Sequence, residues 1–269
     1  MTSLPELFDT HAHVDGPEFD GDRSEVLARA RLAGVQRLVV IGAVGDPSSA
    51  ERAVALAEHD PDVWATVATH PHDVEKMTPA WWATHERLAR HPRVVAIGET
   101  GLDYYYDHSP RELQQECFGR FIELARSVNK PVVCHIRDAH DDARRVLRAH
   151  GAAELGIIIH CFTGTPEDAK AYAELDAYVS FSGIVTYKTA QPLRDSVPFV
   201  AKDRLLIETD CPYLAPIPKR GKRNEPGFIV HTAEVVAKEA GMDFADLARQ
   251  TTENAHRIYR IERPANPVV

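Results

Sequence analysis

Leu7-Phe8-Asp9-Thr10-His11-Ala12-His13 is the stretch on which the fold turns. A short apolar run with the look of a buried strand passes directly into two histidines spaced two apart, so both share one face as the strand runs out. An open doubly wound α/β sheet usually carries a glycine-rich phosphate loop after its first strand. Here that place is taken by Thr10-His11-Ala12-His13. Four further apolar runs, at 94–99, 132–135, 157–160 and 205–210, likewise close on metal-binding side chains: Glu99, His135, His160 and Asp210.

Short β-branched or apolar runs recur at 7–9, 37–41, 63–67, 94–97, 131–134, 156–159, 178–181 and 204–207. Amphipathic stretches at 23–33, 48–58, 111–127, 139–149 and 166–175 separate them, and two last helices are expected at 231–240 and 244–259. Strict alternation of strand and helix implies parallel strands with crossover helices. Eight such units predict an α/β protein with a (β/α)₈ TIM barrel, and the open doubly wound sheet is the alternative. A barrel of this kind occupies about 250 residues as one unit, so residues 1–261 read as a single domain and 262–269 as a loose C-terminal tail. Asp46-Pro47-Ser48, Ser109-Pro110-Arg111 and Thr165-Pro166-Glu167 read as caps followed by proline at the first helical position.

Of the 269 residues, 44% are hydrophobic and 26% charged, which suits a globular core and excludes fibrous or disordered classes. The first strand begins too close to Met1 for a signal peptide, and no apolar run approaches a membrane span, so a cytoplasmic protein without membrane contact is expected. No protein partner is implied. Four scattered cysteines do not make a disulfide framework. Cys134, Cys161 and Cys211 abut His135, His160 and Asp210, and alternation along a strand should turn these thiols away from the ligands. A net charge of −9 argues against coating nucleic acid by bulk electrostatics. It does not exclude a nuclease, because two divalent ions would outweigh the carboxylates that hold them.

Of fourteen histidines, His59, His85, His91, His108, His140, His150, His231 and His256 fall in polar helical or loop contexts and are expected to be exposed or capping. The ligand assignment rests on position at strand ends, because such ends converge on one mouth of a barrel, where enzymes of this fold place their active sites. Six ligands overfill one catalytic ion that must also hold water, whereas a carboxylate can bridge two. The expected partition is His11, His13 and Asp210 to a first ion, His135 and His160 to a second, and Glu99 to both. Mixed imidazole and carboxylate ligation suits zinc, manganese, cobalt or iron better than magnesium, though the ion's identity stays open.

At these residues the chain resembles the TatD family of metal-dependent deoxyribonucleases, a branch of the amidohydrolase-like barrel hydrolases. The matching blocks are Phe8-Asp9-Thr10-His11-Ala12-His13, Thr69-His70-Pro71-His72, Gly98-Glu99-Thr100-Gly101-Leu102-Asp103-Tyr104-Tyr105, His135-Ile136-Arg137-Asp138-Ala139, His160-Cys161-Phe162-Thr163-Gly164 and Glu208-Thr209-Asp210-Cys211-Pro212-Tyr213-Leu214. The resemblance implies that His11, His13, Glu99, His135, His160 and Asp210 are metal ligands, and it carries His70 over as a substrate contact or supporting residue. The basic segment 218–226 also resembles the family, which would place Arg223 beside the mouth as a phosphate contact, while the charge run by itself reads equally as a solvated loop. Ala68-Thr69 stands where relatives often have glycine, a local departure that leaves the ligands untouched.

The expected reaction is hydrolysis of a DNA phosphodiester by a metal-bridged hydroxide, with Asp210 accepting the water's proton and Glu208 orienting its neighbours. A deep mouth on an acidic protein favours single strands or ends, hence exonuclease-like trimming. Tyr104, Tyr105 and Tyr106 could stack bases or pack the loop. The competing readings are a related dinuclear hydrolase acting on a small ester, amide or phosphoester, and a non-catalytic metal-binding protein. Some barrel relatives bridge their ions with a carboxylated lysine, and Glu99 weighs toward the TatD type instead.

Overall fold

The computed structural model describes residues 5–262. The tail expected from 262 therefore lies outside the described residues from Arg263 onward. Eight parallel strands follow one another in chain order: β1 Leu7–Ala12, β2 Val35–Gly42, β3 Val63–Val67, β4 Val94–Asp103, β5 Val132–Arg137, β6 Ile157–Ile159, β7 Tyr178–Phe181 and β8 Leu205–Ile207. Helices α1 Arg23–Leu32, α2 Ser48–His59, α3 Pro79–Ala89, α4 Arg111–Val128, α5 His140–Ala149, α6 Pro166–Ala173, α7 Gln191–Arg194, α8 Ile229–Glu239 and α9 Phe244–Tyr259 lie outside them. The ring closes just past the last strand, where Thr10 Oγ1 donates to Ile207 O (3.0 Å), Asp210 N to His11 O (2.9 Å) and His13 N to Cys211 O (2.8 Å). This is the expected (β/α)₈ TIM barrel.

Alternation along the strands sorts the core into two layers. Leu38, Val40, Val132, Cys134 and Ile159 join the helices in the outer layer. Phe8, Val39, Val133, Ile158, Tyr178 and Leu206 form a second cluster with Ala255, Ile258 and Tyr259 of α9. The end of α9 thus packs on that second layer, and Tyr259 Oη donates to Thr10 O at 2.9 Å. Cys134 and Cys211 lie in the outer layer, as alternation predicts.

Helix starts are only partly as the sequence suggests. Thr165 makes a full capping box with Asp168 ahead of α6. Asp46 accepts from Ser48 N at 2.8 Å and the helix begins at Ser48, as the stretch 48–58 predicts, with Pro47 at the cap position rather than inside the helix. Ser109 caps nothing: its hydroxyl donates to His72 O and accepts from Glu75 N, pinning the turn Pro71–Lys76 against the start of α4. The spacing does not announce α3, which is capped by Thr78 through Trp81 N.

His85 is not the exposed residue expected of its polar surroundings. It lies buried on α3 with Nε2 2.9 Å from Thr69 Oγ1, and burial lowers its pKa to about 4. A histidine whose folded pKa is depressed takes up its proton only in the unfolded chain between about pH 6.5 and 4, so its contribution is present above 6.5 and is lost as the pH falls. A shift of this size corresponds to roughly 3 kcal/mol. Stability measured by urea unfolding from pH 7 to 4.5 should therefore fall less steeply in His85→Gln than in the parent; parallel curves would refute the assignment.

Candidate metal centre

The strands deliver their ligands through irregularities rather than through perfect pleating. Register shifts fall between Asp9 and Ala12 on β1 and between Ile97 and Thr100 on β4, where bulges can re-aim a side chain into a site. On β4 the backbone presses against β5: a Cβ on Gly101 (φ 138°) would sit 2.1 Å from His135 O, so only glycine fits beside Glu99 there. After β8 the chain bends through Asp210 in the left-handed region (φ 57°), which turns this carboxylate toward β1.

His11, His13, Glu99 and Asp210 converge. His11 Nε2 lies 3.2 Å from His13 Nε2, 3.5 Å from Glu99 Oε2 and 3.6 Å from Asp210 Oδ1. His13 Nε2 lies 3.7 Å from Glu99 Oε2 and 3.3 Å from Asp210 Oδ1. A tetrahedral ion with ligand distances of about 2.0–2.2 Å sets its donors about 3.3–3.6 Å apart, close to these five separations, and His11, His13 and Glu99 together could hold a cation. The other oxygen of Glu99 serves a second group, with Oε1 2.8 Å from His135 Nδ1 and 2.7 Å from His160 Nε2, themselves 3.2 Å apart. The His11 ring stacks on that of His160 at 3.8 Å between centroids, joining the two groups. All six expected ligands are together, with Glu99 between them.

The electrostatics fit a cation. Burial pulls the His13 imidazole down, yet its bond to Asp210 and the charge of Glu99 outweigh this and hold it up at about 9. Burial likewise opposes charge on His160, but Glu99 and Glu208 raise it well above the usual imidazole value. Against the same burial, the surrounding imidazoles hold Glu99 well below the usual carboxylate range. Carboxylates that lift buried imidazoles this way favour positive charge between them, and a divalent ion supplies it without protons.

Two carboxylates set the ring orientations. Glu208 Oε1 sits 3.1 Å from His160 Nδ1 and accepts from Cys161 N at 2.8 Å, which leaves His160 Nε2 free to face Glu99. Asp103 Oδ2 lies 3.0 Å from His135 Nε2 and 2.8 Å from His72 Nε2, which leaves His135 Nδ1 as the inward donor. Burial would raise Asp103, but the bonds from His135 and His72 keep it well below the usual range. Glu208 is evident from the sequence by its place two residues before Asp210, whereas no pattern marks Asp103 or His72, although both lie in stretches that resemble the family. Such carboxylate-to-imidazole bonds typically carry 10–100-fold in metal affinity or activity. Asp103→Asn should accordingly weaken metal binding by about 10–100-fold in a chelator competition titration; an unchanged affinity would show that His135 needs no such support.

Asp9, equally unmarked in the sequence, ties the first strand to the last: it accepts from Thr209 N (3.0 Å) and Thr209 Oγ1 (2.6 Å), and burial raises it to about 7 against those bonds. His70 stands where expected, with Nε2 3.4 Å from Glu99 Oε1. Its Nδ1 accepts from His72 N (3.2 Å), so Nε2 carries the proton, and burial lowers its pKa to about 4, leaving a neutral donor at the mouth. Arg223 is not brought into the cavity: it donates to Glu18 O and Asp22 Oδ2, both at 2.6 Å, and clamps the loop after β8 to the loop after β1. Cys161 departs from the alternation argument. Its φ of 41° breaks the strand geometry, and the residue lines the cavity with its sulfur 3.1 Å from Ser182 Oγ.

Above the donors opens a cavity of about 640 Å³, lined among others by His13, His70, Glu99, His135, His160 and Asp210. A family model described as TatD related DNase matches residues 8–260. The chain belongs to the TatD family. TatD relatives of known sequence include an uncharacterized metal-dependent hydrolase, YabD, of Bacillus subtilis, 44% identical over 95% of this chain and 99% of its own. The protein named 3'-5' ssDNA/RNA exonuclease TatD in Edwardsiella piscicida is 36% identical over 95% of this chain and all of its own. Among solved structures, the TatD homologue YJJV of Escherichia coli K12 superposes with a TM-score of 0.89 at 28% identity, covering 95% of this chain and 98% of that one. This TatD chain is thus a metal-dependent hydrolase by family. Among the described residues, no helix is long and apolar enough to cross a membrane.

Proposed function

We propose that the protein is an exonuclease that removes nucleotides from the ends of single-stranded DNA or RNA, with two divalent ions that His11, His13, Glu99 and Asp210 on one side and Glu99, His135 and His160 on the other would hold. The observation that carries this reading is the division of Glu99, one oxygen toward His11, His13 and Asp210 and the other toward His135 and His160, beneath an open mouth. The cavity falls within the about 300–1,000 Å³ that enclose a small ligand, a scale that suits a terminal nucleotide rather than an intact duplex. Relatives named as single-strand exonucleases support the same substrate class.

Divalent ions in such a site lower the pKa of water, polarise a phosphoryl oxygen and stabilise the departing oxyanion. Asp210, on the lip of the cavity and held below the usual carboxylate range by His13 and the neighbouring imidazoles against its burial, stays ionised and takes the proton of the attacking water. Glu208 and Asp103 keep His160 and His135 from rotating. His70, neutral and with Nδ1 already engaged by His72 N, donates a hydrogen bond from Nε2–H to a non-bridging phosphate oxygen. Zinc, manganese and magnesium are the ions to try, with the imidazole-rich donor set favouring the first two.

The test is to strip the protein of metal, reload it with each ion in turn, and offer end-labelled single-stranded DNA and RNA, duplex DNA, closed circles and a panel of small esters and amides. Stepwise shortening of single strands from one end is the expected result. Preferential cutting of closed circles would overturn the exonuclease reading, and turnover of small esters or amides alone would move the protein to another class of dinuclear hydrolase.

A further inference from the structure

Seven large apolar side chains are exposed among the described residues, and four of them, Val44, Tyr105, Tyr106 and Tyr213, line the cavity above the candidate metal ligands. Tyr105 and Tyr106 are 58% and 51% exposed. Aromatic rings left in water at the rim of a cleft mark a surface built to be covered. Their neighbour Tyr104 is different: its hydroxyl is engaged by Asp142 and Gln115 and its ring lies 4.3 Å under Arg111, so it packs the loop.

The Tyr105 and Tyr106 rings are held in place. Both backbone N–H groups donate to Asp103 Oδ1, at 3.0 and 2.9 Å, while Oδ2 of the same carboxylate faces His135 and His72. One buried side chain therefore fixes the aromatic pair relative to a metal ligand. Tyr106 is braced by neighbours, stacked on His108 at 5.4 Å and edge-on to His72. Tyr105 meets Tyr106 at 88° and has the Arg137 guanidinium 3.9 Å from its centroid, which occupies one ring face. Arg137 itself lines the cavity, and among the described residues no carboxylate or carbonyl accepts from its guanidinium. The donors of Arg137 are free to meet an incoming acceptor.

We propose that Tyr105, backed by Arg137 and braced by Tyr106, is the subsite that stacks the unpaired terminal nucleobase and so sets the scissile phosphate over the ligands. This rests on the nuclease reading above and adds the part of the substrate that is read by its π-face. Stacking is tolerant of sequence, because every base offers such a face, and a base still paired in a duplex cannot reach it. The subsite accounts for single strands or frayed ends as substrates, with Arg137 supplying charge-assisted bonds to the adjoining phosphate or base edge.

The experiment compares two oligonucleotides identical except that one ends in an ordinary base and the other in an abasic residue at the attacked end. In the parent protein the ordinary end should be removed with a kcat/KM about 5–150-fold higher, the size of one base-to-aromatic stack. Tyr105→Ala should lose that advantage, bringing the two ends to the same kcat/KM, and Tyr105→Phe should keep it. Quenching of a terminal 2-aminopurine gives a second readout that needs no cleavage. If no oligonucleotide is cut yet 2-aminopurine is quenched by the parent and not by Tyr105→Ala, the subsite stands and the nuclease reading fails. Equal rates on both ends in the parent, with no quenching that depends on Tyr105, overturn the subsite whatever the enzyme hydrolyses.

Discussion

Asp210→Asn leaves a folded protein whose hydrolytic rate falls by at least about 10²–10⁴-fold, the share that a positioned proton acceptor commonly supplies. Asparagine is the informative replacement. Asp210 holds a left-handed backbone (φ 57°), a conformation that asparagine tolerates and that costs alanine about 1–2 kcal/mol. The backbone bonds from Asp210 N to His11 O and from Tyr213 N to Asp210 O survive the exchange, so the ring closure beside β1 is kept. What is lost is the negative charge 3.3 Å from His13 Nε2 and the basicity of a carboxylate at the lip. The measurement is kcat on the best substrate with saturating ion, alongside thermal unfolding. Near-normal turnover would remove Asp210 from the chemistry, and a collapse in stability to match the rate would make its role structural.

The barrel is legible in the sequence because a parallel strand buried on both faces reads as an unbroken apolar run, and eight of them alternate with helical periodicity. The six candidate ligands are legible because five such runs pass into them, the first into both His11 and His13. Strand ends are harder to place: β4 continues six residues beyond the run at 94–97, since Gly98 and Gly101 let polar chain pass against β5, and no apolar signal marks that extension. Asp103 is hidden for the same reason. It lies at the far end of β4, and only the folded chain shows that its two oxygens bind His72 and His135 on one side and the Tyr105 and Tyr106 amides on the other. Arg223 is hard to read for another reason, as a charge run fits a solvated loop and a phosphate clamp equally until Asp22 and Glu18 are seen to hold it. Alternation predicts the burial of Cys134 and fails at Cys161, where the strand has already ended and the backbone turns through φ 41°.

Glu99→Gln should cost the protein most of its bound metal, not only its activity. The glutamate is nearly fully buried and offers a different oxygen to each donor group. An amide retains one weaker oxygen donor, carries no charge, and turns an NH₂ toward the other group, where it meets lone pairs that would otherwise face a cation. The imidazoles that Glu99 holds up, His135 and His160, lose that support at the same time. Bound ion stabilises the fold by mass action, by about 2.7 kcal/mol when free ion stands at a hundred times its dissociation constant. For a chain of this size such a gain corresponds to a rise of several degrees in Tm. The parent protein should therefore melt several degrees lower after chelation and recover when zinc or manganese is restored, while Glu99→Gln should respond weakly to both. Elemental analysis of the dialysed proteins gives the second measure, with metal content reduced in Glu99→Gln by loss at both groups. If only one group empties, Glu99 serves a single ion and the shared-carboxylate arrangement is wrong; if metal content and the chelation response match the parent, the ligand assignment of Glu99 falls with it.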